Sequence, residues 1–170
     1  MEYYGLVEDF IYPKSEIKIK RKTVRVILVN DKKEIALLHI LGKDKFGDRD
    51  HYETIGGGVN VNEDLITSLR REVLEEVGYT IKNIKEIGKI DIEYCLLNRI
   101  DEGYFFYAEI DEYRGTSLEE YEKEIFDKVE WFSLSSIDEL YSKEVENVGK
   151  MIHKRDYFMI NKLKELKYLD

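Results

Sequence analysis

This chain of 170 residues contains one cysteine, one proline and one tryptophan. A lone Cys95 has no partner for an intramolecular disulfide, which excludes a disulfide-stapled framework and agrees with a reducing compartment. With Pro13 the sole proline, and no low-complexity tract or internal repeat, no linker is visible. No apolar run approaches the roughly 20 residues that a membrane-spanning helix needs. The first residues, Met-Glu-Tyr-Tyr-Gly, lack the basic-then-apolar order of a secretory signal. The expected location is cytoplasmic, with no membrane partner. Positive charge is also scarce, with 27 Lys and Arg against 36 Asp and Glu and a net charge of −9. Such a field argues against nucleic acid as a partner. A small anionic substrate remains compatible if metal ions supply local positive charge. The basic run Lys18, Lys20, Arg21, Lys22 and Arg25 alternates with Ile17 and Ile19, so it reads as an exposed strand face.

Apolar residues make up 43% of the chain, enough for one well-buried core and too few residues for two, so a single domain over 1–170 is expected. Residues 1–14 read as an N-terminal arm or strand. Ile17–Val29 reads as a strand entering the core, hairpinned to Ile35–Ile40 through a turn at Asn30–Lys33. Residues 41–51 are polar and read as a functional loop, and Tyr52–Ile55 as a short strand. Further strands are expected over Thr80–Glu93, Tyr94–Leu97, Tyr104–Ile110 and Val129–Phe132. Asp111–Asp127 reads as an acidic loop with a helical turn near Leu118–Lys123. A helix opens at Ser135–Asp138 with a capping-box-like pattern, and Val148, Ile152, Met159, Leu163 and Leu166 trace a C-terminal helix.

The chain is organised around Ile55-Gly-Gly-Gly-Val-Asn-Val-Asn-Glu63, which runs into Asp64–Tyr79. Ile66, Leu69, Val73 and Val77 share one helical face, with Asn62 as the expected N-cap, Asp64 in the first turn and Gly78 as a left-handed stop. Glu72, Glu75 and Glu76 stand at i, i+3 and i+4, so three like charges cluster beside the apolar stripe, at a cost of about 0.2–0.5 kcal/mol per pair. Oxygen-seeking divalent cations turn such repulsion into coordination. The glycines let backbone groups approach a metal and its phosphates closely. His39 and His153 lack a companion His or Cys and are expected to be ordinary strand and helix residues.

This stretch resembles the signature of the Nudix hydrolases, MutT-like enzymes: Gly, five residues, Glu, seven residues, then Arg-Glu-aliphatic-any-Glu-Glu-any-Gly-aliphatic. Gly57, Glu63, Arg71, Glu72, Glu75, Glu76 and Gly78 fill the fixed positions and Val73 the first aliphatic one; Tyr79 stands where a second is usual. The signature covers residues 57–79. The resemblance implies an α/β/α sandwich with a mixed central sheet flanked by helices. It also implies Mg²⁺-dependent hydrolysis, with Mn²⁺ as the alternative ion, of a nucleoside diphosphate linked to another group. Carried over position by position, Glu72, Glu75 and Glu76 are the metal ligands, the Gly56 carbonyl completes a site, and Arg71 acts with them. Gly57, Glu63 and Gly78 support the turn.

The general base is either a signature glutamate or an acid of the later loop, where Glu119, Glu120, Glu122 and Glu124 stand. Arg49, His51, Tyr52, Arg99 and Tyr104 flank the signature and are the candidates for substrate contact, an arginine for phosphate and an aromatic for a base. The nucleotide substrate is open among nucleoside triphosphates (ordinary or oxidised), nucleotide sugars, ADP-ribose and dinucleoside polyphosphates. A non-catalytic nucleotide-sensing or protein-binding module of the same fold is the alternative function. A homodimer contact through the N-terminal arm or the aromatic strand is a further expectation.

Overall fold

Residues 1–170 are described in the computed structural model. The expected strands become one eight-stranded mixed sheet, except that Cys95–Leu97 of the expected Tyr94–Leu97 strand turns as a short 3-10 helix. In chain order the elements are β1 (Tyr3–Val7), β2 (Ile19–Val29), β3 (Ile35–Asp44), β4 (Gly47–Glu53), β5 (Ile55–Gly58), α1 (Leu65–Val77), β6 (Tyr79–Tyr94), β7 (Arg99–Tyr113), α2 (Glu120–Ile125), β8 (Phe126–Phe132), α3 (Leu134–Ser142) and α4 (Gly149–Glu165). The main path runs β1-β6-β7-β2-β3-β4, with β5 paired to β2 and β8 paired to β3.

The α/β/α expectation holds, and strand parity shows why. Val24, Val26 and Leu28 face Leu69, Val73 and Val77 of α1 in one core. Ile27 and Val29 face the other way, into a core closed by Met151, Ile152, Met159, Ile160 and Leu163 of α4. A strand covered on both sides is apolar at every position, which explains the unbroken Val26–Val29 run. Burying an aliphatic side chain contributes about 1.5–3 kcal/mol. Leu69, Val73 and Val77 together therefore outweigh the repulsion among the acids that α1 carries.

Several local expectations are corrected. The 41–51 segment is not a loop: β3 and β4 form a hairpin paired from Leu38↔Glu53 to Asp44↔Gly47, in which the polar Arg49, His51 and Glu53 are buried. The β2–β3 hairpin reduces to one pair, Val29↔Ile35, because β5 takes the same edge of β2 over Thr23–Val26, while β7 pairs in parallel along the other edge from Ile19↔Arg99 to Val29↔Glu109. The glycine run is a strand rather than a turn, with Gly56, Gly57 and Gly58 opposite Arg25, Val24 and Thr23. Thr80–Glu93 is part of one long strand, β6, whose register shifts mark bulges. The N-cap of α1 is Asp64, whose carboxylate accepts from the Thr67 N–H at 2.8 Å; Asn62 lies in the preceding turn with φ of 63°. Ile66 lies on the exposed side of α1. The capping box sits on α2, between Glu119 and Glu122, and not at the start of α3. No helix is long and apolar enough to cross a membrane.

Candidate active site

Helix α1 and strand β5 meet at the glycines. A Cβ on Gly57 would lie 2.6 Å from the Glu72 carboxylate, and one on Gly56 would lie 2.0 Å from the Val24 carbonyl oxygen. A side chain at Gly57 would push against α1, and one at Gly56 would part β5 from β2. Gly56 also has φ of 147°, and its N–H donates to Glu76 Oε2 at 3.0 Å. Gly78 takes φ of 81° and closes α1 with bonds to the Val73 and Leu74 carbonyls.

The acids that α1 projects are divided by burial. Glu72 and Glu76 are buried, whereas the Glu75 side chain is 31% exposed. One carboxylate oxygen each from Glu72, Glu76 and Glu122 lie within 4.8 Å of one another. The third member of the cluster is thus supplied by α2, and Glu75 stands beside it. Burial raises the Glu72 carboxyl above its ordinary range. Burial and the neighbouring Glu72 charge push Glu76 well above it, and Glu122 is raised by burial. An all-carboxylate set at this spacing, at the edge of open space, has the chemistry of a hard divalent cation site.

Arg71 braces this set from the side. Its guanidinium donates to Glu63 at 2.9 and 3.0 Å, to Glu72 at 2.8 Å, to Glu75 at 3.3 Å and to the Gly58 carbonyl at 2.9 Å. Glu63 also accepts from Ser68 Oγ at 2.5 Å and from the Asn60 N–H at 3.1 Å. The Arg71 bonds, then the Ser68 bond, hold the Glu63 carboxyl down to about 2. Arg71 and Glu63 therefore fasten the turn to the helix and orient Glu72 and Glu75.

These residues line a cleft of about 380 Å³, walled by Gly56–Gly58 and Arg71 and crossed by Tyr121. Arg21 and Arg25 of β2 line it as well, as does Glu53 of β4. The basic run is therefore not one exposed face. Arg25 donates to the Thr54 carbonyl at 2.7 Å and lies 3.8 Å from Glu53, while Arg21 lies across Gly58. The alternation of Arg21, Thr23 and Arg25 was a readable signal. The side of the sheet they occupy depends on the distant β5 and β7. Burial pushes Glu53 up, but His51 and Arg25 outweigh it and leave the carboxyl below its ordinary range.

Arg49 and Arg99 do not enter that cleft. Together they line an adjoining pocket of about 140 Å³ that shares Arg21, Arg25 and Glu53 with it and has Phe46 and Tyr94 as aromatic walls. Arg49 is paired with Asp44 at 2.6 Å, and Arg99 with Asp101 at 2.5 Å. Tyr52 and Tyr104 lie elsewhere. Tyr52 bonds Glu130 at 2.9 Å and stacks on His39, and Tyr104 bonds Glu102 at 3.4 Å. Of the loop acids, Glu119 lines the cleft, Glu122 joins the cluster, and the 91% exposed Glu120 side chain pairs with Lys123. His51 and His153 are buried side by side, and His153 Nε2 accepts from the Tyr52 N–H at 3.2 Å.

The family model described as NUDIX domain matches residues 19–154. Among solved structures, the MutT protein from Methanosarcina mazei Go1 is similar over 90% of this chain and 99% of its own, with a TM-score of 0.63 and 20% identity. A NUDIX hydrolase from Nitrosomonas europaea is similar over 81% of this chain and 88% of its own, with a TM-score of 0.60 and 17% identity. A hydrolase of ADP compounds is similar over 86% of this chain and 74% of its own, with a TM-score of 0.58 and 15% identity. At these identities the likeness is one of fold. A search of curated proteins finds no match.

Proposed function

From a chain that belongs to the NUDIX family as a pyrophosphohydrolase, we propose Mg²⁺-dependent cleavage of the pyrophosphate bond in a nucleoside diphosphate linked to another group. The observation that carries this reading is the meeting of Glu72, Glu76 and Glu122 within 4.8 Å in a cleft floored by glycine backbone. Glu72 and Glu76, with Glu122 from α2, would hold the metal. Bound there, the ion supplies charge neutralisation at the diphosphate and activation of water. The Gly56 N–H fixes one Glu76 oxygen, and Arg71 fixes one Glu72 oxygen, so both carboxylates are oriented in advance.

Arg21 is the cleft cation without a carboxylate partner and is placed to receive a phosphate; Arg25 is drawn back to Glu53 and Thr54. Of the cleft carboxylates outside the cluster, Glu53 is engaged by Arg25 and His51, and Glu75 and Glu119 stand ready to take the proton of the attacking water. The Arg49 and Arg99 pocket receives the group on the far side of the diphosphate, its size suiting one ring system or one further phosphate. The protein acts as a small-molecule hydrolase of the cytoplasm.

The test is release of phosphate or nucleotide from a panel of nucleoside triphosphates and their oxidised forms, ADP-ribose, nucleotide sugars and dinucleoside polyphosphates. Wild type is compared with Glu76→Gln in Mg²⁺. Turnover of one substrate class by wild type alone supports the reading. Tight binding of a nucleotide with no turnover of any would overturn it in favour of a sensor.

A further inference from the structure

Thr54 is the single residue between β4 and β5. Up to Glu53 the chain pairs with β3, and from Ile55 it pairs with β2. Thr54 is fully buried at this change of partner, and its peptide groups have no place in either ladder. A buried backbone group left unpaired is costly, because it forfeits its bond to water without replacement. Both groups are met by side chains. The Thr54 N–H donates to Asp156 Oδ2 at 2.8 Å, and its carbonyl accepts from Arg25 Nη1 at 2.7 Å. Two residues on, the Gly56 N–H holds Glu76.

Asp156 itself is fully buried on α4, and Arg155 Nε donates to its second oxygen at 2.7 Å. Arg155 is 2% exposed and lies 5.7 Å from the Phe105 ring centroid. The nearby carboxylate is thus neutralised and fixed, with one oxygen kept for Thr54. Helix α4 contributes none of the residues that line the acidic cleft. It is tied to the strands that flank the cleft by this bond and by the Tyr52 N–H, which donates to His153.

We propose that Asp156 is a positioning residue of the active site: from the opposite layer it fixes the β4–β5 break, and so sets where the Gly56 N–H meets Glu76. The inference rests on the function proposed above for what Glu76 does, and on geometry alone for what Asp156 does. Asp156→Asn keeps an oxygen for the Thr54 N–H while losing charge; Asp156→Ala removes the acceptor. Leu163→Ala, a buried α4 lesion remote from the cleft, is the control for destabilisation.

The first readout needs no activity. In metal-free protein, the Gly56 and Thr54 amide resonances shift and the Thr54 amide loses at least tenfold of its exchange protection in Asp156→Ala. Asp156→Asn stays near wild type, and Leu163→Ala leaves both amides in place. In the second, kcat at saturating Mg²⁺ falls at least tenfold in Asp156→Ala with KM changed less than threefold, and Asp156→Asn recovers most of it. If Asp156→Ala does not fold, Asp156→Gln, which keeps an acceptor on a longer arm, takes its place with the same amide shifts expected. Unmoved Gly56 and Thr54 amides, or losses no larger than those of Leu163→Ala at equal loss of Tm, would overturn the proposal. Shifted amides in a protein inactive on every substrate would uphold it and count against the proposed hydrolysis instead.

Discussion

Two sets of buried charge lie on opposite sides of the same sheet, and they are composed in opposite ways. On the α4 side, Arg155 and Asp156 are 2% and 0% exposed and neutralise one another. On the α1 side, Glu72, Glu76 and Glu122 are buried with like sign, and Arg71 engages only Glu72 and its neighbours. A pair that is complete within the protein acts as scaffold. A set with three buried acids and too little counter-charge is raised in energy until a cation arrives, which marks it as a binding site.

The contrast is broken most directly at the scaffold pair. Asp156→Ala strands a buried guanidinium, so unfolding free energy is expected to fall by about 3–5 kcal/mol, measured by urea denaturation. Glu76→Gln is expected to do the reverse: catalytic rate falls about 10²–10³-fold, the scale of losing one preorganised electrostatic contact. Its metal-free stability is unchanged or higher, because the amide oxygen still accepts from Gly56 and a buried like charge is gone. A metal-free Glu76→Gln protein much less stable than wild type would erase the distinction between the two sets.

Acid sharpens the comparison further. Burial, helped by His51 and opposed by Asp156 and Glu53, lowers His153 from 6.5 to about 4. Tyr52 and Tyr141 complete its surroundings. The fold binds the neutral ring, so the contribution is whole above pH 6.5 and is lost as pH falls towards about 4. It amounts to about 3 kcal/mol, which a non-titrating His153→Gln should remove from the stability-against-pH curve. An unaltered acid slope in that variant would remove His153 from the account. The smallest effect belongs to Glu120→Gln. This exposed acid, two residues from Glu122, should change stability by less than about 0.5 kcal/mol and leave turnover as in wild type.

The α1 side was legible because its information is local. Helical spacing gathers Glu72, Glu75 and Glu76, and the glycines precede them at a fixed distance. Which of the three faces inward was not legible, since Glu75 is turned aside by Arg71 and its place is taken by Glu122. That acid stood among the loop candidates, but only the capping of α2 distinguishes it from Glu120. Arg21 and Arg25 were visible as an alternating pair, yet their side of the sheet is set by pairing with strands 30 to 80 residues away. The β3–β4 hairpin read as a loop because the buried positions of β4 carry Arg49, His51 and Glu53 instead of apolar residues. Tyr52 and Tyr104 flank the signature in sequence, yet neither lines the cleft: Tyr52 bonds Glu130, and Tyr104 lies along β7 and bonds Glu102.

The one-residue joint at Thr54 has a bearing on how such a protein can diverge. Side chains along a strand alternate with a period of two, so one residue gained or lost between Glu53 and Ile55 would turn β5 over. A residue gained would put Ile55 where Gly56 clears the Val24 carbonyl, and a residue lost would put Val59 where Gly58 clears Arg21. Descendants of this sequence are therefore free to exchange residues around the cleft, and to lengthen the β3–β4 hairpin or the acidic segment before α2. At the joint they must keep count.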